Sequence, residues 1–148
     1  MSVYREYLKS IGWEIFGLLG EYIKLNNSIF NFWNILKWFN FFYKKSSQLL
    51  IVYTMINDVE DRLRIFQKEN HLDDASKKYI LCFLDYTAAL NKTICLLREW
   101  LKMMGDSRNP DKQNYTREEI NNIFDQHKKA EEEYGEIGKE LKVLFEKL

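Results

Sequence analysis

The feature that most constrains the fold of this chain is an apolar heptad that runs without interruption over residues 120–148. Its members are Ile120, Ile123, His127, Ala130, Tyr134, Ile137, Leu141, Leu144 and Leu148. An α-helix repeats every ~3.6 residues, so alternating spacings of three and four place all of them on one stripe of a helix. Three earlier segments carry the same spacing. The chain is therefore predicted to be all-α, an antiparallel bundle of four long helices.

The first two helical stretches are bounded by short polar segments. The first helix is predicted over about residues 3–25, followed by a turn at 26–28 in which Ser28 is a good N-cap. The second stretch runs from residue 29 to about residue 70, and it forms one helix or two. A break at 44–47, near Ser46, would give five helices in all.

The third helix is predicted to begin at a cap formed by Asp73 or Asp74 and to reach about Met104. Gly105 is placed to end it in a left-handed turn, since glycine adopts positive φ without steric cost. Residues 106–115, which contain the only proline, are predicted to form a loop.

The last helix has a clear start signal. Thr116 and Glu119 have the spacing of a capping box, which satisfies two backbone amides at the start of a helix. Gly138 flanks the apolar stripe, so the backbone of a neighbouring helix is expected to approach closely there.

Length, charge and cysteine usage limit the class of protein. The 148 residues suit one domain, residues 1–148, whose core is large enough to need no metal or disulfide. The formal net charge of zero argues against a nucleic-acid binder. Cys82 and Cys95 would lie about 20 Å apart on one helix, too far to pair. Free thiols and the absence of a signal peptide or an uninterrupted apolar span predict a cytoplasmic protein.

The segment 29–43 is unusually rich in aromatic residues, and its polar residues recur every third position. Three residues turn a helix by about 300°, so the polar line wraps around the helix and burial on most sides is favoured. Core packing, a surface for a protein partner or a second copy, and membrane contact are the three interpretations. For the second, the predicted partner-binding residues are Trp33, Trp38, Phe39 and Phe42.

Catalytic and metal-binding signatures are absent from the sequence: there is no phosphate-binding glycine loop, no Cys-x-x-Cys and no His-Glu-x-x-His. His127 falls on the apolar stripe, where a buried histidine with a hydrogen-bonded neighbour is expected. Glu131 could share a metal with it, but two ligands are too few for a specific site. No metal, cofactor or small-molecule substrate is predicted.

One spacing carries a resemblance to a known family. Arg64 and His71 form Arg-x6-His, which is similar to the Arg-x4-6-His motif of HEPN-type helical ribonucleases. The resemblance implies a dimeric, RNA-cleaving helical protein with Arg64 and His71 as catalytic residues. Ile65 departs from the family, where a polar residue commonly follows the arginine.

The function predicted from the sequence is non-enzymatic binding. A small cytoplasmic adaptor, inhibitor or immunity-type protein would recognise a protein partner, or a second copy of itself, through its aromatic-rich helix. The two alternatives are the HEPN-like ribonuclease and a peripheral protein of the membrane surface.

Overall fold

A computed structural model describes residues 3–30, 39–112 and 114–148, and these residues form four α-helices and no strand. The helices are α1 (Val3–Phe30), α2 (Phe39–Glu69), α3 (Asp74–Arg108) and α4 (Arg117–Glu146). Neighbouring helices pack on one another along the chain. The predicted all-α bundle of four long helices is confirmed.

Helix α3 lies at the centre of the bundle because it packs extensively against both α2 and α4. Helix α1 packs chiefly on α2 and only sparsely on α3. Among the described helices, α3 alone is long and apolar enough to cross a membrane, and 67% of its most apolar window is buried inside the bundle. A central core helix meets this criterion as readily as a membrane span, so the finding is weak evidence for a span.

The predicted apolar stripes form the core. In each helix most positions with the heptad spacing are buried or half-buried. The fully buried members include Leu8, Ile11, Ile15 and Tyr22 of α1, Leu49, Ile56, Val59 and Leu63 of α2, Ile80, Phe83, Leu90, Ile94, Leu97 and Leu101 of α3, and His127 and Leu141 of α4. Burial of such side chains is the main favourable term in folding.

Two predicted helix starts are confirmed. The Asp73 side chain accepts a hydrogen bond from the Ser76 amide at 2.7 Å and caps α3. At the start of α4, the Glu119 amide donates to Thr116 Oγ1 at 3.1 Å, and the Thr116 amide donates to Glu119 Oε1 at 3.3 Å. These reciprocal bonds complete the predicted capping box.

The turn predicted at 26–28 is wrong, because α1 continues through it to Phe30. The Ser28 hydroxyl donates to the Leu25 carbonyl at 2.8 Å, so it is satisfied inside the helix and does not cap the next one. The optional break at 44–47 is also absent, since α2 is continuous there. Arg98 of α3 donates to the Ser46 carbonyl at 3.1 Å and ties this part of α2 to the centre of the bundle.

Two glycine predictions need correction. Gly105 does not end α3, which continues to Arg108, and no described residue has positive φ. A Cβ at Gly105 would lie 2.8 Å from the Tyr43 ring, so packing explains this glycine. At Gly138 the close neighbour is the Tyr86 ring, 3.1 Å from an added Cβ, and not the backbone of another helix.

Two glycines of α1 provide a matched test of this packing. A Cβ at Gly12 would lie 2.6 Å from Tyr79 Oη and 2.8 Å from the Phe145 ring, whereas one at Gly17 would meet nothing within 4 Å. Gly17→Ala should raise the free energy of unfolding by about 1 kcal/mol through helix propensity. Gly12→Ala should lower the free energy of unfolding by up to about 2 kcal/mol. The overpacking cost of ~1–3 kcal/mol outweighs the gain of about 1 kcal/mol from helix propensity. Urea unfolding followed by circular dichroism measures both, and stabilisation by Gly12→Ala would contradict the packing.

Candidate functional site

Helices α1 and α4 meet through aromatic side chains, and their backbones approach less closely than those of sequential helices. The ring pairs that join them are Trp13–Phe145, Phe16–Phe145, Tyr22–Tyr134 and Phe30–Phe124, with centroids 5.5, 5.6, 6.2 and 5.7 Å apart. Their edge-on and tilted arrangements are favourable geometries for aromatic rings. The residue order of these pairs shows that α1 and α4 run antiparallel. Large rings therefore separate the two helices along their length.

Between two of these ring contacts lies an apolar groove of about 480 Å³, named here the α1–α4 groove. Its described lining consists of Trp13, Phe16 and Leu19 of α1, Tyr86 of α3, and Tyr134, Gly135, Gly138, Lys139, Lys142, Phe145 and Glu146 of α4. Most of these side chains are apolar or aromatic. The volume falls within the range of small-molecule sites, roughly 300–1,000 Å³.

Glycines and an exposed tryptophan distinguish the groove from ordinary surface. A Cβ at Gly135 would meet nothing within 4 Å, so packing inside the bundle does not require glycine there. Glycine within a helix costs about 1 kcal/mol against alanine. Trp13 at the edge of the groove is 66% exposed, although its ring contacts Phe16 and Phe145. The groove therefore combines open space with apolar area that the bundle itself leaves in water.

The charged groups of the groove lie on α4. Lys139 donates to Glu136 Oε1 at 3.1 Å, so its ammonium is engaged in an ion pair along its own helix. Lys142 is exposed, and no ion pair joins it to another described residue. Glu146 also belongs to the lining. Lys139 and Lys142 are both exposed, and since lysine stems typically cover apolar surface while their ammonium groups stay in water, we expect the positive charge at the mouth of the groove.

A buried polar cluster lies further along the same two helices. His127 is 1% exposed, and its Nε2 lies 3.2 Å from the hydroxyl of Tyr22, which is equally buried. Its Nδ1 lies 3.2 Å from Glu131 Oε1, but no described residue offers it a well-aligned hydrogen bond. In the neutral tautomer with the proton on Nδ1, Tyr22 donates to Nε2 and the N–H faces the carboxylate.

Burial sets the protonation states of this cluster. Desolvation, with a smaller contribution from Lys128, lowers the pKa of His127 to about 4, so the imidazole is neutral at pH 7. Desolvation also raises the pKa of Tyr22, with Glu131 adding to the shift, which keeps the hydroxyl a donor. Burial raises the pKa of Glu131, while Lys128 opposes that shift. The sequence expectation of a buried histidine with a hydrogen-bonding neighbour is confirmed.

The two residues of the ribonuclease-like motif lie on the surface. The Arg64 side chain on α2 is 53% exposed and donates to Glu60 Oε1, one turn earlier, at 3.0 Å. His71 is exposed in the connection between α2 and α3. No hydrogen bond or ion pair joins Arg64 to His71 in the described part of the chain. RNA cleavage by these two residues stays a prediction that this geometry does not favour.

Of the four predicted partner-binding residues, Phe42 alone has a described side chain. It is 2% exposed and packs against Trp100 and the guanidinium of Arg108, so it belongs to the core of the bundle. Trp33 and Trp38 lie outside the described residues, as does the Phe39 side chain. The binding role of these three residues stays a prediction.

The structure also shows where the potential metal ligands and the two cysteine thiols lie. Among residues 3–30, 39–112 and 114–148, no group of three or more histidine, cysteine or acidic side chains could hold a metal ion. Cys82 and Cys95 are free, as their separation predicted. Cys82 is buried, and desolvation, with smaller contributions from Glu140 and Asp85, raises its pKa to about 11. A thiol in that state is a weak nucleophile.

Sequence reasoning missed the groove because most of its residues, Tyr134 excepted, fall beside the apolar stripes. Trp13 and Phe16 lie off the α1 stripe, and Gly135 and Gly138 interrupt α4. The sequence feature that could have indicated a groove is the presence of large aromatic residues beside the stripe of α1 together with two glycines within α4. Only the fold shows that these positions face each other.

Comparison with known proteins adds no family or function. No protein-family model matches the chain, and neither curated proteins nor solved structures show a significant match.

The buried histidine predicts how stability depends on pH. The unfolded histidine takes up a proton near pH 6.5, whereas the folded one does so only near pH 4. The unfolded state therefore binds more protons between these values, and stability falls as the pH falls from 6.5 to 4. The loss attributable to His127 is at most about 3 kcal/mol. Glu131 acts in the opposite direction, since its folded carboxyl binds its proton more readily.

Comparison of variants isolates the contribution of His127. Urea unfolding at a series of pH values measures the free energy of unfolding. As the pH falls from 6.5 to 4, this free energy should decrease less in His127→Gln than in the parent chain. Glu131 is present in both proteins, so its opposing effect is shared. The exposed His71 supplies the control for replacing a histidine by glutamine, and the change of slope in His127→Gln should exceed that in His71→Gln. An identical slope in His127→Gln would refute the assignment.

Proposed function

We propose that this protein is a non-enzymatic binding module whose binding surface is the α1–α4 groove. The observation that carries the proposal is the groove itself: an open apolar space of about 480 Å³ between two helices, edged by a tryptophan that is 66% exposed. Ligand sites are typically concave, lined mainly by apolar and aromatic side chains, and supplied with a few polar groups.

The energetics of the lining support a binding role. Trp13, Phe16 and Phe145 form one aromatic cluster at an end of the groove. Tryptophan and tyrosine are enriched among residues that dominate binding energy, because they bury much area with little loss of rotamer freedom. Covering the exposed part of Trp13 with an apolar group would gain roughly 25 cal/mol for each Å² removed from water.

The protonation states of the side chains in and near the groove support a binding role over proton-transfer chemistry. Burial raises the pKa of Tyr86 and of Tyr134, so both hydroxyls stay protonated at neutral pH. The neutral imidazole of His127 is engaged by Tyr22 and has almost no exposed surface. A general base needs a pKa near the working pH and access to its substrate.

The partner predicted from the sequence, a protein or a second copy bound through Trp33, Trp38 and Phe39, stays a separate prediction. The groove gives the binding proposal a surface within the described residues. It lies on α1 and α4, whereas Phe42 of the aromatic segment is buried in the core.

A groove-filling variant tests the proposal. Gly135→Leu places a side chain where an added Cβ meets nothing, so it should fold while filling the groove. Anilinonaphthalene sulfonate, an anionic dye that fluoresces in apolar sites, serves as the probe. The parent chain should bind it saturably with one site, and Gly135→Leu should weaken binding at least tenfold, equivalent to about 1.4 kcal/mol.

Gly17→Leu is the matched control, since Gly17 is also a helical glycine with nothing within 4 Å of an added Cβ and is not part of the described groove lining. It should bind the dye as the parent does. Circular dichroism would verify that both variants remain helical. Equal dye binding by Gly135→Leu and the parent would refute the groove as the binding surface.

A further inference from the structure

We propose that the ligand of the α1–α4 groove is a straight-chain carboxylate, a free fatty acid whose acyl chain lies between the two helices and whose carboxylate meets Lys142. This inference rests on the proposed function, because it assumes that the groove is the binding surface. It adds the chemical class of the ligand, and it follows from the shape of the groove, the position of its charge and its glycines.

The shape of the groove favours a thin ligand over a partner helix. At one end the Trp13 and Phe16 rings of α1 contact Phe145 of α4, and beyond the other end Tyr22 contacts Tyr134, so ring contacts between the two helices bound the groove along its length. From Tyr134 to Phe145 the groove is about 16 Å long, at ~1.5 Å per residue of α4. A docked helix is about 10–12 Å across with its side chains, which is much wider than an acyl chain. A flexible acyl chain suits a short groove that is bounded by ring contacts at both ends.

The glycines of α4 leave open space in the groove. Gly135 and Gly138 lie three residues apart on one face of α4, opposite Phe16 and Leu19 of α1. Gly138 lets the Tyr86 ring pack against α4 and form part of the lining, and Gly135 leaves open space beside it. The groove is therefore lined mainly by aromatic and aliphatic side chains beside two glycines, which suits contact with the methylene groups of an acyl chain.

The charge at the mouth selects the head group. Lys139 is already paired with Glu136, whereas Lys142 has no ion pair with a described residue. An anion at the mouth would therefore interact chiefly with Lys142, and the acyl chain would extend toward Gly135 and Tyr134. Glu146 also belongs to the lining, and its negative charge offsets part of the attraction that Lys142 exerts on an anion.

Displacement of the dye by straight-chain carboxylates from octanoate to palmitate tests the ligand class. Each acid is used below the concentration at which it forms micelles. Burial of one methylene is worth roughly fourfold in affinity, so affinity should rise by about that factor per carbon and then stop rising when the groove is full. A plateau identifies a closed site. A continued rise to palmitate would overturn the bounded-groove proposal, since it indicates an open surface.

Charge recognition is tested separately with Lys142→Glu and the control Lys112→Glu, which changes an exposed lysine of the loop before α4. Lys142→Glu should weaken binding of dodecanoate about fivefold more than it weakens binding of the uncharged dodecan-1-ol, because only the carboxylate loses its charge partner. Lys112→Glu should alter neither. Equal dodecanoate affinity in both variants would overturn the assignment of the head group to Lys142.

The two proposals fail in different ways. If Gly135→Leu abolishes dye binding but no carboxylate displaces the dye from the parent chain, the groove remains a binding surface and the fatty-acid assignment is overturned. If carboxylates bind Gly135→Leu as well as they bind the parent, the site lies elsewhere and both proposals are overturned. Both proposals are supported if carboxylates displace the dye from the parent chain and from Gly17→Leu, and if Gly135→Leu binds neither the dye nor the carboxylates.

Discussion

The contact of aromatic rings between α1 and α4 is the constraint on which the candidate site depends. Chain connectivity brings α1 to α2, α2 to α3 and α3 to α4, and each of these pairs packs closely. The interface between the first and last helices is made instead by bulky rings such as Tyr22 against Tyr134 and Phe16 against Phe145. Rings of this size hold two helices further apart than aliphatic side chains do, and glycines opposite them leave the intervening space open.

Much of the fold could be predicted from the sequence because heptad spacing reports directly on helical burial. The stripe that ends in Leu141 and Leu148 and the caps at Asp73 and Thr116 follow from local rules, and the structure confirms them. The errors arose where tertiary packing overrides a local signal. Ser28 has the sequence signature of an N-cap, but its hydroxyl donates to a carbonyl within α1. Gly105 has the signature of a helix end, but it lies inside α3 against the Tyr43 ring.

The candidate site was beyond sequence reasoning for a related physical reason. Periodicity identifies the residues that face the core, whereas the groove is built from Trp13, Gly135 and Lys142, which flank the stripes on two helices far apart in the chain. Their meeting depends on the width of the α1–α4 interface. His127 was predictable as a buried residue of its stripe, but its partner Tyr22 lies 105 residues away and could be identified only from the fold.

Nuclear magnetic resonance titration with dodecanoate tests the central claim, that the α1–α4 groove is a binding site, most directly. Amide resonances of ¹⁵N-labelled protein would be followed as the ligand is added, and glycine amides fall in a well-resolved region. The account predicts saturable shifts concentrated at Gly135, Gly138 and Leu19, with Asn57 at the opposite α2–α3 interface unchanged. Shifts that never saturate, or that concentrate away from α1 and α4, would contradict it.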